Sequence, residues 1–190
     1  MLKILLGSKS PRRKFLLKST ELKFKTVNID SDEDFPANLK YQKVAEYLAI
    51  KKSKSFNGNL KGKILLTADT IVWLEGKIIN KPLDYNNAVK MLSELSGKKH
   101  YVFTGVCLRS EKNQISFTEK SIVYFKNLNE KQINHYIKKY KPFDKAGAYG
   151  IQDWIGLTGI SKIEGDYFNI MGLPINRVYE YLTEKVYLFY

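Results

Sequence analysis

Short apolar runs alternate with polar segments along the chain, and the spacing of the apolar positions switches between strand and helix periods. Leu2 to Leu6 reads as a short buried strand, and Gly7-Ser8-Lys9-Ser10 as the turn that follows. Ser10-Pro11 has the form of an N-cap with proline at the first helical position, where a missing N–H costs nothing; Phe15, Leu16 and Leu17 are then expected to face the core. Phe24 to Ile29 suggests a second strand, and Asp30 to Pro36 an acidic loop. Tyr41 to Phe56 has helical periodicity, with Val44, Ala45, Leu48 and Ala49 on one face.

The β-branched and apolar stretches Ile64 to Thr67 and Ile71 to Leu74 read as strands, with Glu75-Gly76 turning the chain back through Ile78 and Ile79. Asp84 is placed to cap a helix carrying Ala88, Met91, Leu92 and Leu95 and closed by Gly97. Tyr101 to Leu108 and Ile115 to Phe125 suggest two long antiparallel strands, and Asn129 caps a further helix. Tyr167 to Gly172 reads as a late strand and Val178 to Leu182 as a terminal helix. Strands alternating with helices and followed by a hairpin predict an α/β fold, a mixed twisted sheet with flanking helices.

Composition narrows the classes. With 190 residues, 44% of them hydrophobic, the chain suits one domain or two small lobes around a cleft. No apolar run reaches the length of a membrane span, and the start MLKILLGSKSPRRK is too quickly polar for a secretory signal, so a cytoplasmic protein is expected. The single cysteine, Cys107, lies in an apolar stretch and reads as a small buried hydrophobe. His100 and His135 are too few and too isolated for a zinc site.

The net charge of +13 points to an anionic partner without choosing between phosphates, nucleic acid and a membrane surface. The location of charge is more informative. Residues 1–25 hold Lys3, Lys9, Arg12, Arg13, Lys14, Lys18, Lys23 and Lys25 against the single acid Glu21. Arg12 and Arg13 fall in the first turn of the expected helix, where the helix dipole disfavours positive charge unless an anion binds there; otherwise they simply point into solvent.

Four further features carry candidate chemistry. Asp69, in Ala68-Asp69-Thr70 between two apolar runs, needs a partner or a metal if buried, and caps a loop if not. The cluster Asp30, Asp32, Glu33 and Asp34 offers the oxygen donors that Mg²⁺ or Mn²⁺ prefer, or is merely a solvated loop. Lys81 stands alone before Pro82. The run Asp144-Lys145-Ala146-Gly147-Ala148-Tyr149-Gly150-Ile151-Gln152 is small enough for a ligand to approach its backbone closely, or forms a tight turn.

Taken in order, these blocks resemble the Maf family. Ser8-Lys9-Ser10-Pro11-Arg12-Arg13 resembles its opening S-x-S-P-R-R, Ala68-Asp69-Thr70 its A-D-T, and Lys81-Pro82 its K-P. Ser96-Gly97 through His100 to Thr104 resembles S-G-x-x-H-x-V-x-T, and Asp144 to Gln152 matches D-K-A-G-A-Y-G-I-Q. Glu33 fits the family's acidic loop, Lys52 the lysine of its second helix, and Gly165-Asp166-Tyr167 with Gly172-Leu173-Pro174 completes the set. Gly7, where alanine is frequent, and the stretch Trp154 to Ser161, which is not glycine-rich, depart from the pattern.

The resemblance implies a single domain over residues 1–190, an elongated two-lobed body with a central cleft, related to the inosine triphosphate pyrophosphatases. It also implies hydrolysis of a nucleoside triphosphate to the monophosphate and pyrophosphate. Arg12, Thr70 and Gln152 fit the dTTP/UTP branch; members acting on 7-methyl-GTP tend to carry tryptophan where this chain has Arg12. On this reading Glu33 and Asp69 hold a divalent cation (Mg²⁺, Mn²⁺ or Co²⁺), and Asp69 also accepts the proton of the attacking water, two roles that compete. Ser8, Arg13, Lys52 and Lys81 clamp the triphosphate, while Arg12, Thr70 and Gln152 reach the base or sugar. A homodimer is a further expectation from the family. Rival readings are a 7-methyl-GTP or other modified-nucleotide pyrophosphatase, a basic nucleic-acid-binding module, and a cell-division regulator. Nucleic acid is not expected as the partner, because the aromatics fall at strand or core positions and are not interleaved with basic residues.

Overall fold

The computed structural model describes residues 3–190. The first strand, β1 (Lys3–Leu6), lies where the apolar run predicts it; Leu2, the first residue of that run, is outside the described residues. It is followed by α1 (Pro11–Ser19), β2 (Phe24–Thr26), α2 (Tyr41–Lys54), β3 (Lys63–Leu74), β4 (Lys77–Ile79) and α3 (Tyr85–Leu95). The second half holds β5 (Lys99–Arg109), β6 (Gln114–Phe125), α4 (Glu130–Tyr140), α5 (Trp154–Gly159), β7 (Ile160–Glu164), α6 (Tyr167–Met171) and α7 (Ile175–Thr183). One mixed sheet runs in the order β2-β1-β3-β5-β6-β7, with β4 paired to β3. β1 is parallel to both β2 and β3, whereas β3–β4 and β6–β7 are antiparallel. Only Ser110 to Asn113 connects β5 to its neighbour β6, too short a link for a parallel crossover.

The contacts divide the chain into two compact units. One comprises Met1–Thr70, Thr104–Glu119 and Gly172–Tyr190; the other comprises Ile71–Phe103 and Lys120–Met171. In the first, Leu5, Leu60 and Leu65 form a buried cluster with Val27, Ile29 and Phe56 against it, each fully buried aliphatic side chain contributing about 1.5–3 kcal/mol. Helix α2 buries Val44, Ala45, Leu48 and Ala49, the face its periodicity predicts. Any Cβ at Gly105 would strike the backbone of Ala45, and Thr67 Oγ1 donates to the carbonyl of Ala49 at 2.7 Å. Small residues on both sides thus bring the helix backbone down onto β5 and β3. At its C-terminal end Arg109 donates through Nε to Ser53 Oγ (3.0 Å) and through its terminal nitrogen to Phe56 O (3.3 Å), satisfying carbonyl and hydroxyl acceptors there.

In the second unit, Asp84 caps α3 by accepting from the N–H of Asn87 at 2.7 Å. Asn129 and Gln132 form a reciprocal capping box at the start of α4, each bond 2.9 Å. His100 is fully buried and bonds through Nε2 to the Tyr149 hydroxyl at 2.7 Å, with the Phe125 ring edge-on to both.

Four expectations need correction. Phe15 is 61% exposed while Leu16 and Leu17 are buried, because three successive helical residues span too wide an arc to share one face. The stretches at 64–67 and 71–74 are one continuous strand, so Ala68-Asp69-Thr70 is strand and not a loop. The second strand stops at Thr26, although Val27 N–H still donates to Leu6 O at 2.9 Å. Tyr167 to Met171 is helix α6 and not a strand. Asp166 accepts from the N–H of Phe168 at 2.8 Å and starts the turn, while the buried Asn169 donates to Val102 O (3.2 Å) and Ser121 Oγ (2.8 Å). The position beside β6 is taken instead by β7, an edge strand with polar residues that the hydrophobic pattern does not reveal.

Candidate active site

The first unit gathers the end of β1, the start of α1, the acidic loop, the last turn of α2 and the middle of β3. Ser10 Oγ accepts from the N–H of Arg13 at 3.4 Å, an N-cap that starts α1 directly after the Gly7–Ser10 loop. Ser8 Oγ accepts from the N–H of Ser10 (3.2 Å) and from a terminal nitrogen of Arg13 (3.4 Å). The other terminal nitrogen of Arg13 donates to Thr70 Oγ1 at 2.9 Å, and its Nε to Gly172 O at 2.7 Å. Thr70 Oγ1 is in turn 2.9 Å from Thr104 Oγ1. One half-buried guanidinium therefore ties three chain segments together through its planar fork. Burial lowers its pKa from the ordinary arginine value, and Arg12, half-buried in the same helical turn, lowers it further; Asp69 and Glu33 oppose both effects. The group stays cationic at any working pH.

The Lys52 ammonium hydrogen-bonds to Asp69 Oδ1 and lies 3.5 Å from Glu33 Oε1. Asp69 is 7% exposed, and a buried carboxylate of this kind is tolerable only with such a partner. Next to this triad, Lys51 bonds to the Asp32 carboxylate and to Asp34 O (2.8 Å), gripping the residues on either side of Glu33. The Lys51 bond holds the Asp32 carboxyl below its usual pKa range. Two successive lysines at the end of one helix thus anchor the acidic loop. Among the described residues no three His, Cys, Asp or Glu side chains converge, so Glu33 and Asp69 are a two-carboxylate set. That suits Mg²⁺ or Mn²⁺, which bind through one or two carboxylates and complete their shell with water and substrate phosphates.

In the second unit Lys81 is exposed, just beyond β4. The adjacent Asn80 O accepts from the N–H of Gly147 at 3.1 Å, so the Lys81 segment lies against the run Asp144 to Gln152. That run contains a 3-10 turn at Ala146–Ala148. The buried Tyr136 of α4 accepts from the N–H of Gly150 (2.9 Å) and donates to Asp153 Oδ2 (2.7 Å). Burial and the Asp153 carboxylate both raise the pKa of that phenol. With Tyr149 anchored on His100, the backbone on both sides of Gly150 is held from within and Gln152 is exposed.

Residues 3–185 match the family model described as Maf-like protein. The chain belongs to the Maf-like family. A protein of Bacteroides thetaiotaomicron named dTTP/UTP pyrophosphatase is 47% identical over 178 residues, 93% of this chain and 92% of that one. One of Christiangramia forsetii with the same name is 47% identical over 184 residues, 96% of this chain and 94% of that one. Among solved structures, the Ham1 protein of Staphylococcus aureus aligns with a TM-score of 0.45 at 15% identity, over 65% of this chain and 71% of that one. No described helix is long and apolar enough to cross a membrane.

Of the residues that the Maf-like motifs single out, Ser8, Arg12, Arg13, Glu33, Lys52, Asp69 and Thr70 belong to the first unit, and contacts or charge link all of them. Lys81 and Gln152 belong to the second. Lys51, Tyr136 and Asp153 support these residues, although sequence reasoning does not reach them as candidates; Thr104, which bonds to Thr70, closes the family block that starts at Ser96. Lys51 is one of several lysines near the helix end, and a tyrosine at Tyr136 reads only as core, so neither carries a local signal.

Proposed function

We propose that this Maf-like protein hydrolyses dTTP and UTP to the monophosphate and pyrophosphate, by attack of water at the α-phosphate. The observation that supports the reading best is the Lys52 ammonium between the Asp69 and Glu33 carboxylates, in the unit that also holds the Ser8–Arg13 loop. The two relatives described above bear the name of this activity.

Glu33 and Asp69 would hold Mg²⁺, Mn²⁺ or Co²⁺. Such a cation would supply Lewis-acid chemistry there, lowering the pKa of water and offsetting phosphoryl charge. Asp69 would accept the water's proton, a role that competes with metal binding and with its bond to Lys52, because neighbouring cations weaken a carboxylate as a base. Ser8, Arg13, Lys52 and Lys81 would bind the triphosphate, with the first N–H groups of α1 as further donors to anionic oxygen. Arg12, Thr70 and Gln152 would face the base and sugar, the Gln152 amide offering both a donor and an acceptor to a uracil or thymine edge. The same reading treats residues 1–190 as one catalytic domain in the cytoplasm, with a homodimer as the assembly to test by light scattering.

The deciding experiment is a panel of canonical and modified triphosphates assayed for pyrophosphate release with each metal. Selective turnover of dTTP and UTP is expected. Preference for 7-methyl-GTP would move the chain to another branch, and turnover of none would reject the activity.

A further inference from the structure

Lys52 stands where the oxygen atoms of the two proposed metal ligands converge. Its ammonium bonds Asp69 Oδ1 and lies 3.5 Å from Glu33 Oε1, and the side chains of Lys52 and Asp69 are 18% and 10% exposed. A divalent cation shared by these carboxylates would sit about 2.0–2.6 Å from the same oxygens, too near the ammonium for both to keep their positions. Like charges in a partly desolvated site repel strongly.

We propose that Lys52 is the resident counter-ion of the metal site, so that the free protein excludes the cation and the metal enters together with the nucleotide. This inference rests on the pyrophosphatase reading and adds an order of binding to it. The neighbouring cation cannot play the same part. Arg13 is pinned by Ser8, Thr70 and Gly172, whereas Lys52 carries a compact charge on a flexible four-carbon stem and is held through the two carboxylates. An incoming triphosphate offers that ammonium a new anionic partner. As Lys52 moves to a phosphate oxygen, Asp69 and Glu33 lose their compensating charge and become ligands for the cation the nucleotide carries. Charge stays balanced in both states.

Mn²⁺ binding to the nucleotide-free protein, followed by electron paramagnetic resonance, tests this directly. Wild type is expected to bind Mn²⁺ weakly, and Lys52→Met to bind it about tenfold tighter or more, because removing the ammonium leaves the carboxylates uncompensated. Lys52→Arg retains the charge and should stay close to wild type. Adding a dUTP analogue with a non-hydrolysable α,β-bridge should raise Mn²⁺ affinity in wild type far more than in Lys52→Met. Circular dichroism checks folding, and Lys52→Gln serves if the methionine variant is unfolded. Equal or weaker Mn²⁺ affinity in folded Lys52→Met or Lys52→Gln overturns the inference. If wild type then still turns over dTTP with metal, the pyrophosphatase reading survives alone; if it turns over no triphosphate, both fall.

Discussion

Arg13 Nε donates to the carbonyl oxygen of Gly172 at 2.7 Å, joining residues 159 positions apart in the chain. Gly172 adopts φ +118°, a conformation that side-chain-bearing residues rarely reach, so the carbonyl is presented by backbone geometry that glycine alone tolerates easily. The same guanidinium reaches Ser8 and Thr70. Lysine has no planar fork and cannot serve three acceptors in these directions. Arg13→Lys is expected to lower stability by about 1–3 kcal/mol, the cost of leaving partly buried acceptors unpaired, and to weaken triphosphate binding. Urea denaturation and the KM for dTTP check the two effects; unchanged values in both would remove Arg13 from the network.

Asp69→Asn keeps the shape of the side chain and removes its charge and basicity. Pyrophosphate release should fall by about 10²–10⁴-fold, the range spanned by a positioned proton acceptor, while nucleotide binding measured calorimetrically largely persists. Wild-type turnover by this variant would exclude Asp69 from the chemistry.

Gln152 and Tyr136 separate contact from support. Gln152→Ala should flatten the preference among bases and leave stability within about 0.5 kcal/mol, since the residue is exposed. Tyr136→Phe deletes the acceptor of the buried Gly150 N–H and the donor to Asp153. It should destabilise by about 1–3 kcal/mol and raise KM through a loosened loop. Thermal melting beside a base panel distinguishes them: a large loss of stability in Gln152→Ala with base preference intact would reverse the assignment.

His100 gives the fold an acid limit. Burial lowers its pKa to about 3, against about 6.5 in an unfolded chain. Between these values the unfolded state binds the proton and the folded state does not. The contribution of neutral His100 is therefore complete above pH 6.5 and is lost progressively as pH falls toward 3, at about 1.4 kcal/mol per pH unit. His100→Gln should be less stable at pH 7, where the Tyr149 hydroxyl loses its partner. Its loss of stability between pH 6.5 and 5 should be smaller than that of wild type by about 2 kcal/mol. Parallel slopes in urea titrations at the two pH values would show that His100 is already charged in the fold.

The relationships legible in the sequence by itself are local ones. The caps at Ser10, Asp84 and Asn129 close hydrogen bonds over three residues, so a few letters contain both partners. The buried face of α2 follows from one period, and the family motifs name Glu33, Lys52, Asp69 and Arg13 as types in order. Their mutual arrangement is decided only by the tertiary structure. Lys52 meets Asp69 because Ala45, Ala49 and Gly105 let a helix settle closely on the sheet, and that depends on space between segments distant in sequence. Tyr167 to Met171 has the composition of a strand, yet Asp166 and the partners of Asn169 make it a helix. Period and capping act through neighbours within a turn. The partner of a buried charge or amide is chosen by desolvation, which acts only once remote segments have packed.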